Sequence, residues 1–506
     1  MVTPERLGRR DGLAALSLVA VLLVAYLANG EILPGNDATA NVYLAAEILE
    51  TGSVTFSPTR TPWMFHWRAE TRDGPVRLRI FDLDLPVGGT PARALRERGA
   101  LVPEPPYYLM PSSRSDPATG ERLFVGTYGV GAAVAALPVL AAIRPLAGDL
   151  RRSPEWLWMG AKVVASLLAA AAAALVFLSL RAWLPRGQAL LLAAACGLGT
   201  TLWSTASQSL WQHAPDSFFL AGGILAMVRA RGRAWGWALS GLAFALAAAS
   251  RPSSALFGAV VAAWLLARDR RAMLAFAAGA APVLVAVLAG NLLLNGSVLL
   301  YAQMGHAQVA LAKTGSPDLW QGRPWVTLPG MLLSPSRGLL VFSPFLLLAV
   351  PGAIRAWRRP GWEELRPLSV SVVAVLLLDS FWFDWWGGWS YGPRRLTDLV
   401  PALTVLAAPA MARAWEGWWR RTALVAAVAW SVALQLLGAV AYDVDGWNGR
   451  REAGRVLNVD EPEHRARLWS VGDSQVAYHV ANLAESRRRK RDAHVRWIES
   501  WRPRPR

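Results

Sequence analysis

Apolar residues in this chain are gathered into long runs, separated by short breaks rich in arginine, glycine and proline. The runs fall at Leu13 to Ala28, Trp156 to Leu180, Ala189 to Thr205, Ser217 to Val228, Trp235 to Ala249, Ser254 to Ala267, Met273 to Leu294, Leu339 to Ile354, Leu368 to Phe383, Leu396 to Ala412 and Thr422 to Tyr442. Runs of this kind have no use in a soluble core, and the pattern predicts an all-α polytopic membrane protein with about eleven transmembrane helices. The first run follows Arg6, Arg9 and Arg10, as a secretion signal does, but no small-x-small cleavage site ends it. It is read as an uncleaved span with its N-terminus in the cytoplasm.

One further apolar stretch, Val130 to Ile143, is decided by charge. If it crosses, the clusters Arg181/Arg186, Arg229/Arg231/Arg233, Arg268/Arg270/Arg271, Arg355/Arg358/Arg359 and Arg413/Arg420/Arg421 all fall outside. If it lies in or on the outer leaflet, they fall inside with the N-terminal cluster, which is the distribution insertion favours. On that reading residues 1–442 form the transmembrane domain, with 31–155 as one large first extracytoplasmic loop. Ser207 to Asp216, Ser250 to Pro252, Asn295 to Arg337 and Asp384 to Arg395 share that outer side. So does the basic tail, 443–506, in which Leu468 to Leu483 is expected to dock as a short helix and the last dozen residues to be loose. In the first loop, Val76 to Phe81 alternates as a strand does and is expected to pair with Leu83 to Val87.

Composition adds limits. The chain has 506 residues, 54% of them hydrophobic and 17% charged, with a net charge of +17. That charge sits between apolar runs and in the tail, so it points to membrane orientation and not to nucleic acid. Lysine appears only at Lys162, Lys313 and Lys490, and the one cysteine, Cys196, excludes an intrachain disulfide and a cysteine-based metal site.

Candidate chemistry lies in the outer segments. Val42, Ala45, Ala46 and Leu49 recur at helical spacing, with Glu47 and Glu50 elsewhere on the surface, which predicts an amphipathic helix from Asp37 to Gly52. Asp37 suits an N-cap, and equally a general base or a ligand for a divalent metal. Asp216 follows Pro215 at the start of an apolar run, where it is either a helix N-terminal residue or part of a site; His213 nearby is a candidate donor or metal ligand. The late segment from Phe383 to Arg395 holds Trp385, Trp386, Trp389 and Tyr391 around Gly387 and Gly388, and ends in Arg394 and Arg395. An interfacial aromatic anchor with two snorkelling arginines is the bland account. Paired arginines at an outer end run against the charge rule, however, and a lipid phosphate gripped bidentately explains them, with the aromatic rings stacking on sugar or prenyl chain. Arg251, Arg337 and His306 are further outer candidates for substrate contact.

The layout of the first half resembles the glycosyltransferase 39-like branch of the GT-C superfamily, which includes protein O-mannosyltransferases and lipid A aminoarabinose transferases. The resemblance is carried by Asp37, by Glu50-Thr51-Gly52 with Pro58, by Thr127-Tyr128-Gly129-Val130-Gly131 before an apolar stretch, and by Ser207 to Asp216. It departs at Ala38, where the family has a second acidic residue, and lacks a full Tyr-Pro-Pro element; the first departure weakens metal ligation at Asp37 more than base catalysis. The resemblance implies a GT-C-type helical bundle with juxtamembrane helices in its first loop. It implies transfer of a sugar from a polyprenyl-phosphate donor to a glycan, lipid or protein acceptor, with Asp37 as base or metal ligand and Asp216 shaping the same site. A transporter or flippase would show repeated halves and paired broken helices, and an O-antigen ligase or polymerase its largest outer loop late. Nothing in the chain resembles a nucleotide-binding motif.

Overall fold

The computed structural model describes residues 7–71, 74–79, 108–230, 232–298, 310, 313–452 and 455–502. Its helices, apart from single turns, are α1 (Arg9–Leu27), α2 (Asn36–Thr51), α3 (Gly131–Ala147), α4 (Pro154–Leu180), α5 (Arg186–Leu198), α6 (His213–Arg229), α7 (Ala234–Ser250), α8 (Ala255–Leu266) and α9 (Arg270–Asn295). They continue as α10 (Pro324–Leu333), α11 (Ala349–Arg358), α12 (Leu365–Ser380), α13 (Val400–Leu406), α14 (Ala408–Glu416), α15 (Trp418–Ala441), α16 (Gln475–Ala481) and α17 (Leu483–Ser500).

Among the described residues, α1, α4, α9 and α15 are long and apolar enough to cross a membrane, and Arg394–Leu406, which ends in α13, forms with α14 a pair bent by 49° that passes the same test jointly. The other expected spans fall on shorter helices, and some of their apolar runs carry breaks. Leu339 to Ile354 splits into a turn at Leu339–Phe342, a 3₁₀ segment at Pro344–Leu348 and then α11, since Pro344 has no amide to continue the ladder. The most apolar part of α4 is 67% buried at the centre of the bundle, whereas that of α9 is only 17% buried, so α9 presents most of its apolar surface outward. Near the chain start, Asp11 lies 3.0 Å from both Arg181 and Arg186. Arg229 donates to the Leu178 carbonyl at 2.9 Å, which gathers these basic clusters with the N-terminus at one end of the bundle.

At the other end, the first loop builds a shelf. Helix α2 ends where the sequence places its stop, on Gly52 in the left-handed region at φ 72°. Its start differs: Gly35 is the N-cap, no side chain caps it, and Asp37 is the second helical residue, free of the capping role. Glu47, expected on the surface, is fully buried and ion-paired with Arg60 and with Arg151 at 3.3 Å. Helix α3, of 17 residues with Pro138 and Pro145 inside it, packs along α2, and Arg144 near its end bonds Glu50 at 2.9 Å.

Among the described residues, three antiparallel hairpins decorate the loops: β1 (His66–Thr71) with β2 (Gly74–Arg79), β3 (Leu109–Ser115) with β4 (Arg122–Gly126), and β5 (Gly449–Glu452) with β6 (Arg455–Asn458). The strand expected at Val76 is present as part of β2, but its partner is the preceding segment; Leu83 to Val87 lies outside the described residues.

The tail corrects the sequence most. Its docked helix is α16, and the stretch expected to be loose continues as α17 to Ser500. The reason is aromatic burial: Trp501 packs against Tyr43 at 5.0 Å between ring centres, and Trp497 against Trp158 at 5.4 Å. Lys490 of the basic run is itself buried, with its ammonium on the Ala439 carbonyl, and His494 Nδ1 accepts from the Ile32 amide at 3.2 Å. The tail therefore clamps the link between α1 and α2, from which Asp37 follows.

Candidate functional site

Asp37 and Arg394, far apart in sequence, meet with Oδ2 and NH1 2.8 Å apart. The platform under both is Trp211. Arg394 lies over its ring at 4.4 Å from the centroid. Gly35, two residues before Asp37, packs so closely on the ring edge that an added Cβ would sit 2.9 Å from it. Only glycine lets the backbone approach this far, and so brings the start of α2 under the guanidinium. Asn41 bonds the Leu210 carbonyl at 3.1 Å and the Leu33 amide bonds the Gln208 carbonyl at 3.0 Å, which ties the first two outer segments together.

Tyr128, just ahead of α3, completes the group through a hydrogen bond from its hydroxyl to Asp37. Burial, together with the negative charge of Asp37, pushes the phenol well above its ordinary range, so Tyr128 remains a donor. Tyr128→Phe is expected to lower turnover about tenfold or more with donor binding retained, since a hydrogen bond to a charged group contributes roughly 1.5–3 kcal/mol; steady-state kinetics on the variant checks it.

Beneath this group lies a second, more buried cluster. Arg251 NH1 is 2.6 Å from Asp398 Oδ2, and Arg251 NH2 is 4.0 Å from Asp379 Oδ2 and 3.2 Å from the Arg395 carbonyl. His213 Nδ1 lies 2.9 Å from both Asp398 Oδ1 and Arg251 NH1. Arg395 pairs with Asp379 at 2.9 Å and rests on Trp382 at 5.2 Å. Asp216 is fully buried beside Asp398, Ser254 and Arg251. Removing Arg251 would leave the buried Asp398 carboxylate with His213 alone, while Asp379 keeps Arg395. Arg251→Ala is therefore expected to cost about 3–5 kcal/mol of stability, read as a lower unfolding temperature in detergent, with Arg251→Lys recovering part of it.

A crevice too tight for a water molecule runs along Met331, Arg337, Trp385, Trp386 and Gly392 to Leu396, so Arg394 and Arg395 both line it. The remaining sequence candidates fare unequally. Arg337 is buried and spends its donors on the carbonyls of Trp386 (2.9 Å), Ser336 (3.1 Å) and Gly388 (3.2 Å) and on Asn448 (2.9 Å); it shapes the late loop instead of holding phosphate. Tyr391 is fully buried with its hydroxyl on the Leu434 carbonyl, which removes it from any stacking role, and Trp389 bonds Asn458 at 2.9 Å. His306 lies outside the described residues. The donor set offered for a divalent metal is divided: Asp37 faces Arg394, while His213 and Asp216 belong to the Arg251 cluster. Among the described residues, the group with three ligand atoms within 4.8 Å of one another is Glu461, Glu463 and His464, at the surface of the tail.

Sequence reasoning gave no role to Trp211, Tyr128, Asp379 or Asp398. The two aspartates did carry a signal: each lies inside an apolar run expected to span, where a carboxylate is costly and marks function or a partner.

No family model matches the sequence, and no curated protein matches it. Among solved structures, the crystal structure of ArnT from Cupriavidus metallidurans bound to undecaprenyl phosphate is similar over 96% of this chain and 74% of that one, with 15% sequence identity and a TM-score of 0.48.

Proposed function

We propose that this chain is a GT-C-type membrane glycosyltransferase that moves a sugar from a polyprenyl-phosphate donor to an acceptor hydroxyl on the outer side of the bacterial inner membrane. The observation that carries this reading is the 2.8 Å contact between Asp37 and Arg394 over Trp211. It joins a carboxylate suited to proton abstraction with a cation suited to a phosphate, at the end of the bundle opposite the basic clusters around Asp11. Helix α3, which packs along α2 and bonds Glu50 through Arg144, belongs with the first loop, and this supports placing both residues on the outer side.

In the proposed step, Asp37 takes the proton of the acceptor hydroxyl while that oxygen attacks the anomeric carbon. The bond from the anomeric carbon to the phosphate oxygen breaks, its electron pair leaves with the polyprenyl phosphate, and the anomeric configuration inverts. Arg394, and beside it Arg395 on the same cleft, stabilise the charge that grows on the leaving phosphate. Tyr128 fixes the Asp37 carboxylate. Asp216, with Asp398 and His213, acts through Arg251 and Arg395 by setting the floor of the cleft. The acceptor is a glycan, lipid or protein hydroxyl.

Ligand that binds the folded state raises its stability by mass action. Polyprenyl phosphate added to the purified protein in nanodiscs is expected to raise its unfolding temperature, with a neutral polyprenol giving a smaller shift. Equal shifts from the two lipids would remove the phosphate from the account.

A further inference from the structure

The segment from Asp384 to Pro393 has little regular structure of its own and leads into the arginines of the cleft, which open a 3₁₀ helix, Arg394–Leu399. Gly387, Gly388 and Gly392 take φ values of 73°, 63° and 57°, a backbone path that no local ladder enforces. Its shape is imposed from the tail. Trp386 Nε1 bonds Asp460 at 2.7 Å, and Asn448, through Arg337, reaches the carbonyls of Trp386 and Gly388. The tail residue whose bonds come closest in sequence to Arg394 is Gln475, the first residue of α16. Its Oε1 accepts from the Gly392 amide at 3.1 Å, its Nε2 donates to the Ser390 carbonyl at 2.6 Å, and its own amide donates to Ser336 Oγ at 3.2 Å.

Gln475 is fully buried, so none of these bonds is replaced by water when the side chain is changed. It grips the backbone on both sides of Tyr391, and Pro393 leads from there directly to Arg394. A shift of the Gly392 peptide would therefore carry the guanidinium away from Trp211 and Asp37. Tyr391, between the two gripped residues, is fully buried against Phe342 and Tyr442.

We infer that Gln475 is a positioning residue for the donor site: the tail is part of the catalytic unit, and through this one side chain it sets the turn that aims Arg394 at the phosphate. The inference rests on Arg394 being the phosphate ligand, and it has a readout that does not depend on that reading.

The test uses the full chain in nanodiscs and Gln475→Met, which keeps the volume and removes both side-chain bonds. Hydrogen exchange is followed over residues 387–396, alongside binding of polyprenyl phosphate. Exchange in that segment is expected to accelerate about tenfold and polyprenyl-phosphate affinity to fall about tenfold, the size of one or two lost hydrogen bonds, with kcat at saturating donor lowered as well but by less than in Arg394→Ala. Gln475→Glu keeps an acceptor for the Gly392 amide and sets a carboxylate against the Ser390 carbonyl; it is expected to fall between Met and wild type, and it carries the test if the Met variant does not fold. Unchanged exchange in the folded variants overturns the inference, as does unchanged affinity when exchange has risen. Faster exchange in a protein whose wild type binds no polyprenyl phosphate sustains the positioning role and instead removes the donor assignment.

Discussion

Asp37→Asn is expected to lower sugar transfer by roughly 10²–10⁴-fold, the range of a lost general base, while the protein remains folded and inserted. The side chain is nearly isosteric, Gly35 and not Asp37 caps α2, and the change leaves a neutral amide beside Arg394 in place of a carboxylate. Folding should therefore be spared. A second consequence separates base from scaffold. Asp37 competes with any phosphate for the Arg394 guanidinium, so the variant should bind polyprenyl phosphate at least as tightly as wild type while failing to turn the donor over. Titration of the lipid into both proteins, with single-turnover transfer on the same samples, reads the two effects separately. Near-normal turnover in Asp37→Asn would remove Asp37 from the chemistry.

Arg394→Ala carries the other large effect. A guanidinium that holds phosphate oxygens by charge-assisted bonds and also stabilises the leaving group contributes to both binding and the transition state. Its loss is expected to weaken donor affinity about a hundredfold and to lower kcat as well, with a reduced salt dependence of binding. Arg394→Lys should recover only a part: an ammonium keeps the charge but neither forks around a phosphate nor covers the Trp211 ring as the guanidinium does, 4.4 Å from its centroid. Kinetics with varied donor concentration distinguishes the two substitutions. Full activity in the lysine variant would mean that charge alone matters at this position and that the Trp211 platform is structural.

Some of this site was legible in the sequence. The apolar spacing from Val42 to Leu49 and the glycine at 52 bounded α2 to within a residue of its observed limits, and the side-of-membrane reading of the arginine clusters put Asp37 and Arg394 together. What was missed has physical causes. Asp379 and Asp398 were absorbed into apolar runs because hydropathy averages over a window, although a single carboxylate in such a run needs a partner, here Arg395 and Arg251 respectively. Trp211 looked like one more interfacial tryptophan; its role depends on Gly35 and Arg394 arriving at the same ring from two distant segments, and periodicity holds no record of such contacts. The tail was misread because its charge resembles that of a solvated end. The few apolar residues among those charges, Ile498 and Trp501, decide the matter by being buried. The helix expected over Ala189 to Thr205 was overstated in length because Gly199 ends α5 before the turn at Thr201–Ser204.

The central claim is that Asp37 and Arg394 form one site for lipid-linked sugar transfer. Its most direct test incubates the purified protein with isotopically labelled polyprenyl-phosphate sugars and native envelope acceptors, and follows products by mass spectrometry for wild type, Asp37→Asn and Arg394→Ala. The account predicts label in an acceptor with inverted anomeric configuration and equimolar release of polyprenyl phosphate in wild type, with both products lost in the two variants. Label that stays on its polyprenyl phosphate in wild type across the donor series, or transfer that persists in Asp37→Asn, would contradict it.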